Sequence, residues 1–345
     1  MNVSYPIIDA DGHVLEKDTE LADFLEGRYR EMRRNDTYSF FPSLDGWHRG
    51  YSAPGKETEV PASRWLEFLD ELGVQLSVLY PTAGLSHGLI QDFDWACAVA
   101  RAYNSWVAER YSRQSPRLKA VALLPVQVPE EAARELRRAK ELGLVAGLLP
   151  AATILHKGYG HRDFDPIYRE AERLDMPLAV HGAPSRNMGF DFFDKFVQVH
   201  TLEHPFAILI QFTHMIYEGV FERFPKLRAA FLEAGSGWLP YMMDRMDEEF
   251  EKPFGKQAAL KKKPSDTIRS GQVWTTCEVE ERALIQVLRQ FNPRCVMWPS
   301  DYPHERTPNM FKHDIPEFLA REDLSDAEKR LILYENPKRF YGLEI

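Results

Sequence analysis

The chain has 345 residues, 44% of them hydrophobic, and a formal net charge of -9 at pH 7. An acidic balance without a basic cluster argues against a nucleic-acid partner. The sequence shows no signal-like N-terminus and no apolar run long enough to cross a bilayer, so we expect a cytoplasmic protein with no membrane partner. Because barrels of this length commonly form one domain and no linker divides the chain, we expect residues 1–345 to fold as one domain.

Short apolar runs alternate along the chain with amphipathic segments, which is the pattern of a parallel sheet covered by helices. The candidate strands are Ile7 to Asp11, Gln75 to Pro81, Lys119 to Leu124, Leu144 to Pro150, Leu178 to His181, Leu227 to Leu232, Val273 to Glu278 and Cys295 to Ser300. The clearest amphipathic segments are Asp94 to Ser112, Pro129 to Leu142, Pro166 to Leu174, Trp238 to Phe250 and Glu281 to Arg289. The predicted fold is therefore an α/β, TIM-type (β/α)8 barrel with an outer ring of helices.

The first predicted strand ends in polar residues with the spacing D-x-D-x-H, from Asp9 through Asp11 to His13. Side chains alternate along a strand, so these three point the same way at the C-terminal end, where parallel barrels keep their chemistry. Two carboxylates and an imidazole in this arrangement suit a metal ion. Asp9 fits equally well as a group that orients a ligand, and the motif alone would also fit a strand that ends in a polar turn.

Two further apolar strands end in residues that bind metals. His181 closes the run that begins at Leu178, and Asp301 follows the run that begins at Cys295. One such residue alone would be explained as a hydrogen-bonded cap. Three strand ends of this kind indicate a shared divalent ion, because charges that converge in an apolar interior need a counter-ion.

Residues 30–61 form a long connection after the first strand, rich in aromatic residues and without sustained periodicity. On the active-site face of a barrel, long loops tend to close over the site. Aromatic residues also pack against the protein body or a second subunit. We therefore expect this insertion, which carries Trp47 as a candidate substrate contact, to be a lid or an interface in a homo-oligomer such as a dimer.

The cysteines Cys97, Cys277 and Cys295 lie far apart within apolar patterns. This distribution fits neither a disulfide framework nor a zinc knuckle. We expect reduced core cysteines, as in a cytoplasmic protein.

Five motifs carry a resemblance to a known family. They are D-x-D-x-H at 9–13, P-L-A-V-H-G at 177–182, G-V-F-E-R-F-P-K-L-R at 219–228, F-L-E-A-G-S-G-W at 231–238 and S-D-Y-P-H at 300–304. In this order they resemble the amidohydrolase-related family, in the branch that includes aminocarboxymuconate-semialdehyde, resorcylate and carboxyvanillate decarboxylases. The resemblance spans nearly the whole chain and implies a metal-dependent enzyme acting on a small molecule.

The resemblance also implies which residues bind the metal. The family's ligand positions correspond to Asp11, His13, His181 and Asp301, and Glu233 stands where the family has a further histidine after the sixth strand. Both Asp11 and Glu233 replace a histidine of the family pattern. Carboxylate oxygens make the site harder, so manganese or iron becomes more favourable relative to zinc, which stays compatible.

A second metal is an alternative, with Glu16, His200, His204 and Glu233 as candidate ligands. The two histidines are four residues apart and would share one face if their segment is helical. His204 precedes Pro205, so it would also fit a residue at the start of a helix.

Tyr302 and His304 follow Asp301 and are candidate substrate contacts, although a proline-containing turn alone would expose both. We expect metal-assisted hydrolysis, or non-oxidative decarboxylation, of a small organic acid, which is aromatic in many of the resembling enzymes. Glu233 or Asp301 would transfer the proton. Two alternatives stay open: a two-metal non-haem iron oxygenase on the same fold, and a non-catalytic barrel subunit of an assembly.

Overall fold

The computed structural model describes residues 3–32, 39–42, 57–182, 188–304 and 307–345. Its strands form one eight-stranded sheet in chain order, and successive strands pair in parallel. They are β1 (Ile8–Val14), β2 (Leu76–Pro81), β3 (Leu118–Leu123), β4 (Ala146–Pro150), β5 (Leu178–His181), β6 (Ala229–Leu232), β7 (Val273–Thr276) and β8 (Val296–Met297). The N–H of Ala10 in β1 donates to the carbonyl of Trp298, just after β8 (3.0 Å), so the sheet closes on itself. The predicted TIM-type barrel is confirmed.

Helices surround this sheet. The α-helices are α1 (Asp18–Leu21), α2 (Tyr29–Met32), α3 (Ala62–Leu72), α4 (Phe93–Val107), α5 (Pro129–Glu141), α6 (Asp165–Leu174), α7 (Phe196–Tyr217), α8 (Val220–Arg223), α9 (Trp238–Glu251), α10 (Pro264–Ile268), α11 (Leu284–Gln290), α12 (Pro308–Phe311), α13 (Asp314–Ala320), α14 (Asp326–Arg330) and α15 (Asn336–Tyr341). Turns of π-helix at Ala108–Ser112 and Leu331–Glu335 continue α4 and α14. All but α3, α7 and the shorter helices were anticipated by an amphipathic pattern.

Helix α5 shows how the local sequence defines an outer helix. Pro129 lies in its first turn, where the missing N–H has no intrahelical partner to lose. Glu130 near the N-terminus and Lys140 near the C-terminus both interact favourably with the helix dipole. Leu136 and Ala139 are fully buried on the inner face, and the helix packs against its neighbour α6. The charged face is thus left to solvent, as the sequence pattern predicts.

Strand β8 is shorter than the apolar run that predicts it. Only Val296–Met297 pairs with β7. Beyond Met297 the backbone forms hydrogen bonds with β1 instead, since the N–H of Ser300 donates to a carboxylate oxygen of Asp9 (2.7 Å). This switch of partner brings Asp301 beside the end of the first strand.

Helix α7 lacks an amphipathic pattern because it is apolar on nearly all sides. Ile208 and Phe212 are buried, whereas Ile210 is exposed. His200 and His204 lie in this helix, so their helical spacing is real. The interpretation of His204 as a helix-entry residue is wrong, because the helix begins at Phe196 and Pro205 lies inside it.

The described parts of the aromatic insertion pack on the barrel body. Phe40 and Phe41 are buried, and the ring of Phe40 lies 5.4 Å from that of Trp95 in α4. Trp47 lies outside the described residues, so its contact with substrate stays a prediction, as does the choice between lid and interface. The three cysteines are free, as expected. No helix in the described part of the chain is both long and apolar enough to span a bilayer.

Candidate metal centre

Asp9 fastens the first strand to its two neighbours. Its carboxylate accepts hydrogen bonds from the hydroxyls of Ser77 (2.5 Å) and Ser300 (2.8 Å), and from the N–H groups of Ser300 (2.7 Å) and Asp11 (3.2 Å). The side chain is completely buried, and this burial raises the pKa of Asp9 to about 6. These bonds favour an orienting role for Asp9 rather than direct contact with a metal.

Four side chains converge at the C-terminal ends of strands β1, β5 and β8. Nε2 of His13 lies 3.5 Å from Oδ1 of Asp11 and 3.4 Å from Oδ1 of Asp301. Nε2 of His181 lies 3.4 Å from Oδ2 of Asp11. Asp11 and both histidines are buried, while the Asp301 side chain is 33% exposed.

The outer ring nitrogens of both histidines are held by backbone carbonyls. Nδ1 of His13 lies 2.9 Å from the oxygen of Pro81, and Nδ1 of His181 lies 2.8 Å from the oxygen of Gly182. With each Nδ1–H donating, the Nε2 lone pair of each ring is directed to the centre, which is the usual support for a metal-binding histidine. Burial, helped by the neighbouring His304 and His181, lowers the pKa of His13 well below its ordinary value, so its imidazole is neutral.

The spacing of these atoms fits a divalent ion. Two ligands bound to one ion at about 2.0 to 2.2 Å lie roughly 3 to 4 Å apart. Asp11 Oδ1, His13 Nε2 and His181 Nε2 are buried and have no hydrogen-bond partner among the described residues. Buried polar atoms are normally paired, so three such atoms facing one point, beside Asp301, indicate a missing partner. Two imidazoles with two carboxylates suit manganese, iron or zinc.

Two active-site carboxylates lie on strained backbone. Asp301, after β8, has φ 55, and Glu233, after β6, has φ 62. This left-handed region costs a non-glycine residue on the order of 1–3 kcal/mol and persists only where the surroundings hold it. Around Asp301, its own N–H donates to the Asp11 carbonyl (2.8 Å), and its carbonyl accepts from the N–H of His304 (2.8 Å). These two backbone hydrogen bonds thus stabilise the strained conformation and orient the Asp301 carboxylate.

His304 lies beside the centre, as predicted. Its Nδ1 is 2.9 Å from Oδ1 of Asp301, its Nε2 is 2.8 Å from the hydroxyl of Thr82, and its ring centroid is 4.0 Å from that of His13. His304 also belongs, with His13 and Asp301, to a group whose donor atoms could share an ion. Thr82 was not anticipated, because a single threonine after β2 carries no distinctive sequence signal.

Tyr302 and Glu16 are placed differently. The ring of Tyr302 is fully buried and stacks on Phe68 at 3.7 Å, and its hydroxyl donates to the carboxylate of Glu57. Tyr302 therefore packs toward α3, away from the metal ligands. The Glu16 carboxylate accepts from the N–H groups of Thr82 (3.0 Å), Ala83 (3.0 Å) and Gly84 (2.9 Å), which stabilises the turn after β2. It is not among the residues whose donor atoms cluster, and those bonds give it a structural role.

Beyond the four ligands, carboxylates and imidazoles continue toward α7. Oε2 of Glu233 lies 3.3 Å from Nδ1 of His181 and 3.1 Å from Nδ1 of His204. Nε2 of His204 lies 3.2 Å from Oε1 of Glu203. Glu203 is completely buried and escaped the sequence analysis, although a lone acidic residue in an apolar segment beside two histidines was the available signal.

A groove of about 830 Å³ lies next to this centre on the same barrel face. Its walls include Leu89, Ala151, Ile154 and Met188, from the loops that follow β2, β4 and β5. The N–H of Ala151 donates to the carbonyl of His181 (3.0 Å), so the groove adjoins the strand that carries this candidate ligand. The four candidate ligands themselves do not line the groove.

A closed parallel barrel with a buried histidine and carboxylate centre at the C-terminal ends of its strands defines a metal-dependent TIM-barrel enzyme. The model of the amidohydrolase family matches residues 8–343, and the chain belongs to that family. The family predicted from the sequence motifs is confirmed.

Curated relatives of the chain are decarboxylases. The gamma-resorcylate decarboxylase of Polaromonas sp. is 25% identical over 301 residues, which cover 81% of this chain and 87% of the relative. The 2-amino-3-carboxymuconate-6-semialdehyde decarboxylase of Dictyostelium discoideum is 27% identical over 255 residues, which cover 72% of this chain and 68% of the relative.

Solved structures share the fold. A dihydroxybenzoic acid decarboxylase of Polaromonas sp., with bound manganese and the inhibitor 2-nitroresorcinol, superposes with a TM-score of 0.74 at 21% identity, covering 98% of this chain and 97% of that one. A 5-carboxyvanillate decarboxylase of Novosphingobium aromaticivorans, also with manganese, gives 0.76 at 19% identity, covering 99% and 98%. These structures show the shared fold, while the choice of metal, the dimer and the cytoplasmic location stay predictions.

Proposed function

We propose that this protein is a manganese- or iron-dependent, non-oxidative decarboxylase of a small aromatic acid. The observation that carries the proposal is the convergence of Asp11, His13, His181 and Asp301, whose inward atoms are spaced as ligands of one divalent ion. The decarboxylase relatives supply the reaction class. Bound at these residues, a divalent ion would act as a Lewis acid for the carboxylate and an adjacent oxygen of the substrate.

The chain itself must bind an anion in an acidic site. Asp11, Asp301 and Glu233 bring carboxylates to the centre, and the His13 imidazole is neutral. An organic acid would be repelled by this set of charges alone. We therefore expect substrate binding to depend on the metal, because the positive charge of the ion would offset that of the carboxylates.

The reaction also needs a proton at the carbon that loses carbon dioxide. The bond between ring carbon and carboxylate breaks, its electron pair stays on the ring, and a proton replaces the departing group. Glu233 and Asp301 are the carboxyl groups at the centre that could deliver it. Glu233 lies on the β6 side, held between His181 and His204, and Asp301 lies on the β8 side, held by His304.

Hydrolysis is a second candidate because Glu233 provides a carboxylate in the place of the family's histidine. A carboxylate beside a metal-bound water is suited to accept its proton. The same four ligands would serve both reactions, so only assays with substrates of each kind distinguish decarboxylation from hydrolysis.

The experiment is an assay of manganese-loaded protein with 2,6-dihydroxybenzoate and related hydroxybenzoates, in which the ring product and carbon dioxide are both measured. We expect equal amounts of the two, turnover that stops when the metal is chelated, and no turnover in Asp301→Asn. His161→Ala, at an exposed position outside the clustered metal-binding side chains, is the control that should keep full activity. Release of an acid or amine from ester, lactone or amide substrates, with no carbon dioxide from any aromatic acid, would replace decarboxylation by hydrolysis.

A further inference from the structure

Helix α7 presents a second group of metal-binding side chains outside the barrel centre. His200, Glu203 and His204 occupy positions i, i+3 and i+4, so they share one face of the helix. One donor atom from each lies within 4.8 Å of the other two. The Nε2 atoms of His200 and His204 lie 3.9 Å and 3.2 Å from Oε1 of Glu203. These separations fall within the range of roughly 3 to 4 Å for ligands that share an ion.

The burial of these residues fits an ion that enters from solvent. The Glu203 side chain is completely buried, that of His204 is 11% exposed, and that of His200 is 37% exposed. The ring of Phe196 lies 4.8 Å from that of His200, which limits the movement of the outermost ligand. The group thus runs from a buried carboxylate to an accessible imidazole.

Glu233 orients the central histidine of this group. With Nε2 of His204 facing Glu203, its Nδ1 faces Oε2 of Glu233 at 3.1 Å. A carboxylate that accepts from the far nitrogen of an imidazole is the usual second partner of a metal-bound histidine, since it fixes the ring and its tautomer. The same oxygen of Glu233 lies 3.3 Å from Nδ1 of His181, a ligand of the barrel centre.

We infer that His200, Glu203 and His204 form a second site for a divalent transition-metal ion, separate from the barrel centre and joined to it through Glu233. Two imidazoles and one carboxylate leave coordination positions open, which suits zinc, manganese or iron(II). Glu16, expected from the sequence as a ligand of a second ion, is replaced here by Glu203. The site goes beyond the proposed decarboxylation and does not depend on it, because its test counts bound ions.

The test measures metal content in the full-length protein. The protein is stripped with a chelator, dialysed against excess Mn²⁺ and analysed for manganese per chain. We expect two equivalents in the wild type and one in His200→Ala and in Glu203→Gln. His161→Ala removes an exposed histidine elsewhere and should keep both equivalents. His200→Ala alters the more exposed ligand, so it keeps the test valid if Glu203→Gln fails to fold, which circular dichroism will show.

The same measurement separates this site from the barrel centre. His181→Ala should lose the ion of the barrel centre and keep the ion on α7, and the variant with both His181→Ala and His200→Ala should bind none. A single ion in the wild type that His200→Ala retains and His181→Ala loses would overturn the second site alone. A single ion with the reverse dependence would support the second site and overturn the first. Two ions that survive both His200→Ala and Glu203→Gln would also overturn the assignment.

Discussion

His13 lies in the first strand of the sheet and Asp301 follows the last, and Nε2 of His13 is 3.4 Å from Oδ1 of Asp301. This contact exists only when β8 closes on β1, through bonds such as that from Ala10 to Trp298. The candidate metal centre therefore cannot form in a chain whose barrel is open. Binding of the ion and closure of the barrel should be thermodynamically linked.

The first prediction follows from this linkage: added metal should raise the stability of the metal-free protein. A ligand that binds only the folded state at 100 times its Kd stabilises it by about 2.7 kcal/mol. Thermal unfolding followed by circular dichroism, in chelator and then in excess Mn²⁺, should show an increase in Tm of several degrees. Mg²⁺, which prefers oxygen ligands, should give a smaller shift. An unchanged Tm with every divalent ion would show that these residues do not bind a metal.

The second prediction concerns His181. His181→Ala should lose the ion of the barrel centre while the protein stays folded, because the ring of His181 supplies a ligand at the C-terminal end of β5. His87→Gln is a matched control, since His87 is equally buried but bonds to the Ala96 carbonyl and lies outside the clustered ligands. Metal content and unfolding curves from the same preparation distinguish a metal-binding histidine from a structural one. Full metal occupancy in His181→Ala would show that the ligand assignment is wrong.

Much of the centre could be predicted because it lies where a strand ends. Alternation along β1 places Asp11 and His13 on one side, and a parallel barrel brings every strand's C-terminal end to one face. His181 and Asp301 follow by the same rule from β5 and β8. The order of the motifs along the chain is enough to identify the family, and the family model over residues 8–343 confirms it.

The parts that could not be predicted depend on tertiary packing. His204 reaches Glu233, and Glu203 reaches His204, only because the apolar helix α7 packs against β5 and β6. Such a helix has no periodic signal that shows which face is buried. Tyr302 follows Asp301 directly, yet its ring turns away to stack on Phe68. Two adjacent residues in an irregular turn can have opposite surroundings, and sequence spacing does not reveal that.

The third prediction is an acid-induced loss of stability due to His87. Burial lowers the pKa of His87 to about 4, while an unfolded chain holds a histidine near 6.5. Between these values the unfolded chain binds a proton that the folded protein does not, so the stability contributed above pH 6.5 is lost as the pH falls toward 4. Each unit by which the pH falls lowers the free energy of unfolding by about 1.4 kcal/mol at most.

Urea unfolding of metal-free protein at pH 6.5 and at pH 5 measures this effect. His87→Gln keeps a donor for the Ala96 carbonyl but has no titrating ring, so its free energy of unfolding should fall by about 2 kcal/mol less than that of the wild type over this interval. His161→Gln, which alters an exposed histidine, should follow the wild type. Parallel pH dependence in wild type and His87→Gln would show that His87 is protonated in the folded state.

The last prediction concerns Glu233, which stands where the resemblance to the family implies a histidine. If Glu233 transfers the proton, Glu233→Gln should keep the ion of the barrel centre and lose about 100- to 10,000-fold in kcat, because a general acid contributes that much. Glutamine matches glutamate in size and meets the same left-handed backbone at φ 62, so the local structure should be retained. Glu222→Gln, which alters a carboxylate on the short helix α8, is the control with unchanged activity.

Three results distinguish the roles open to Glu233. Loss of activity with unchanged metal content supports proton transfer, whereas a lower metal content identifies a ligand or the orienting partner of His204. Glu233→His restores the family residue and should raise decarboxylation of 2,6-dihydroxybenzoate if this position alone limits that reaction. Wild-type activity and metal content in both variants would show that Glu233 is structural, and that the proton comes from Asp301, which His304 holds at 2.9 Å on the other side of the centre.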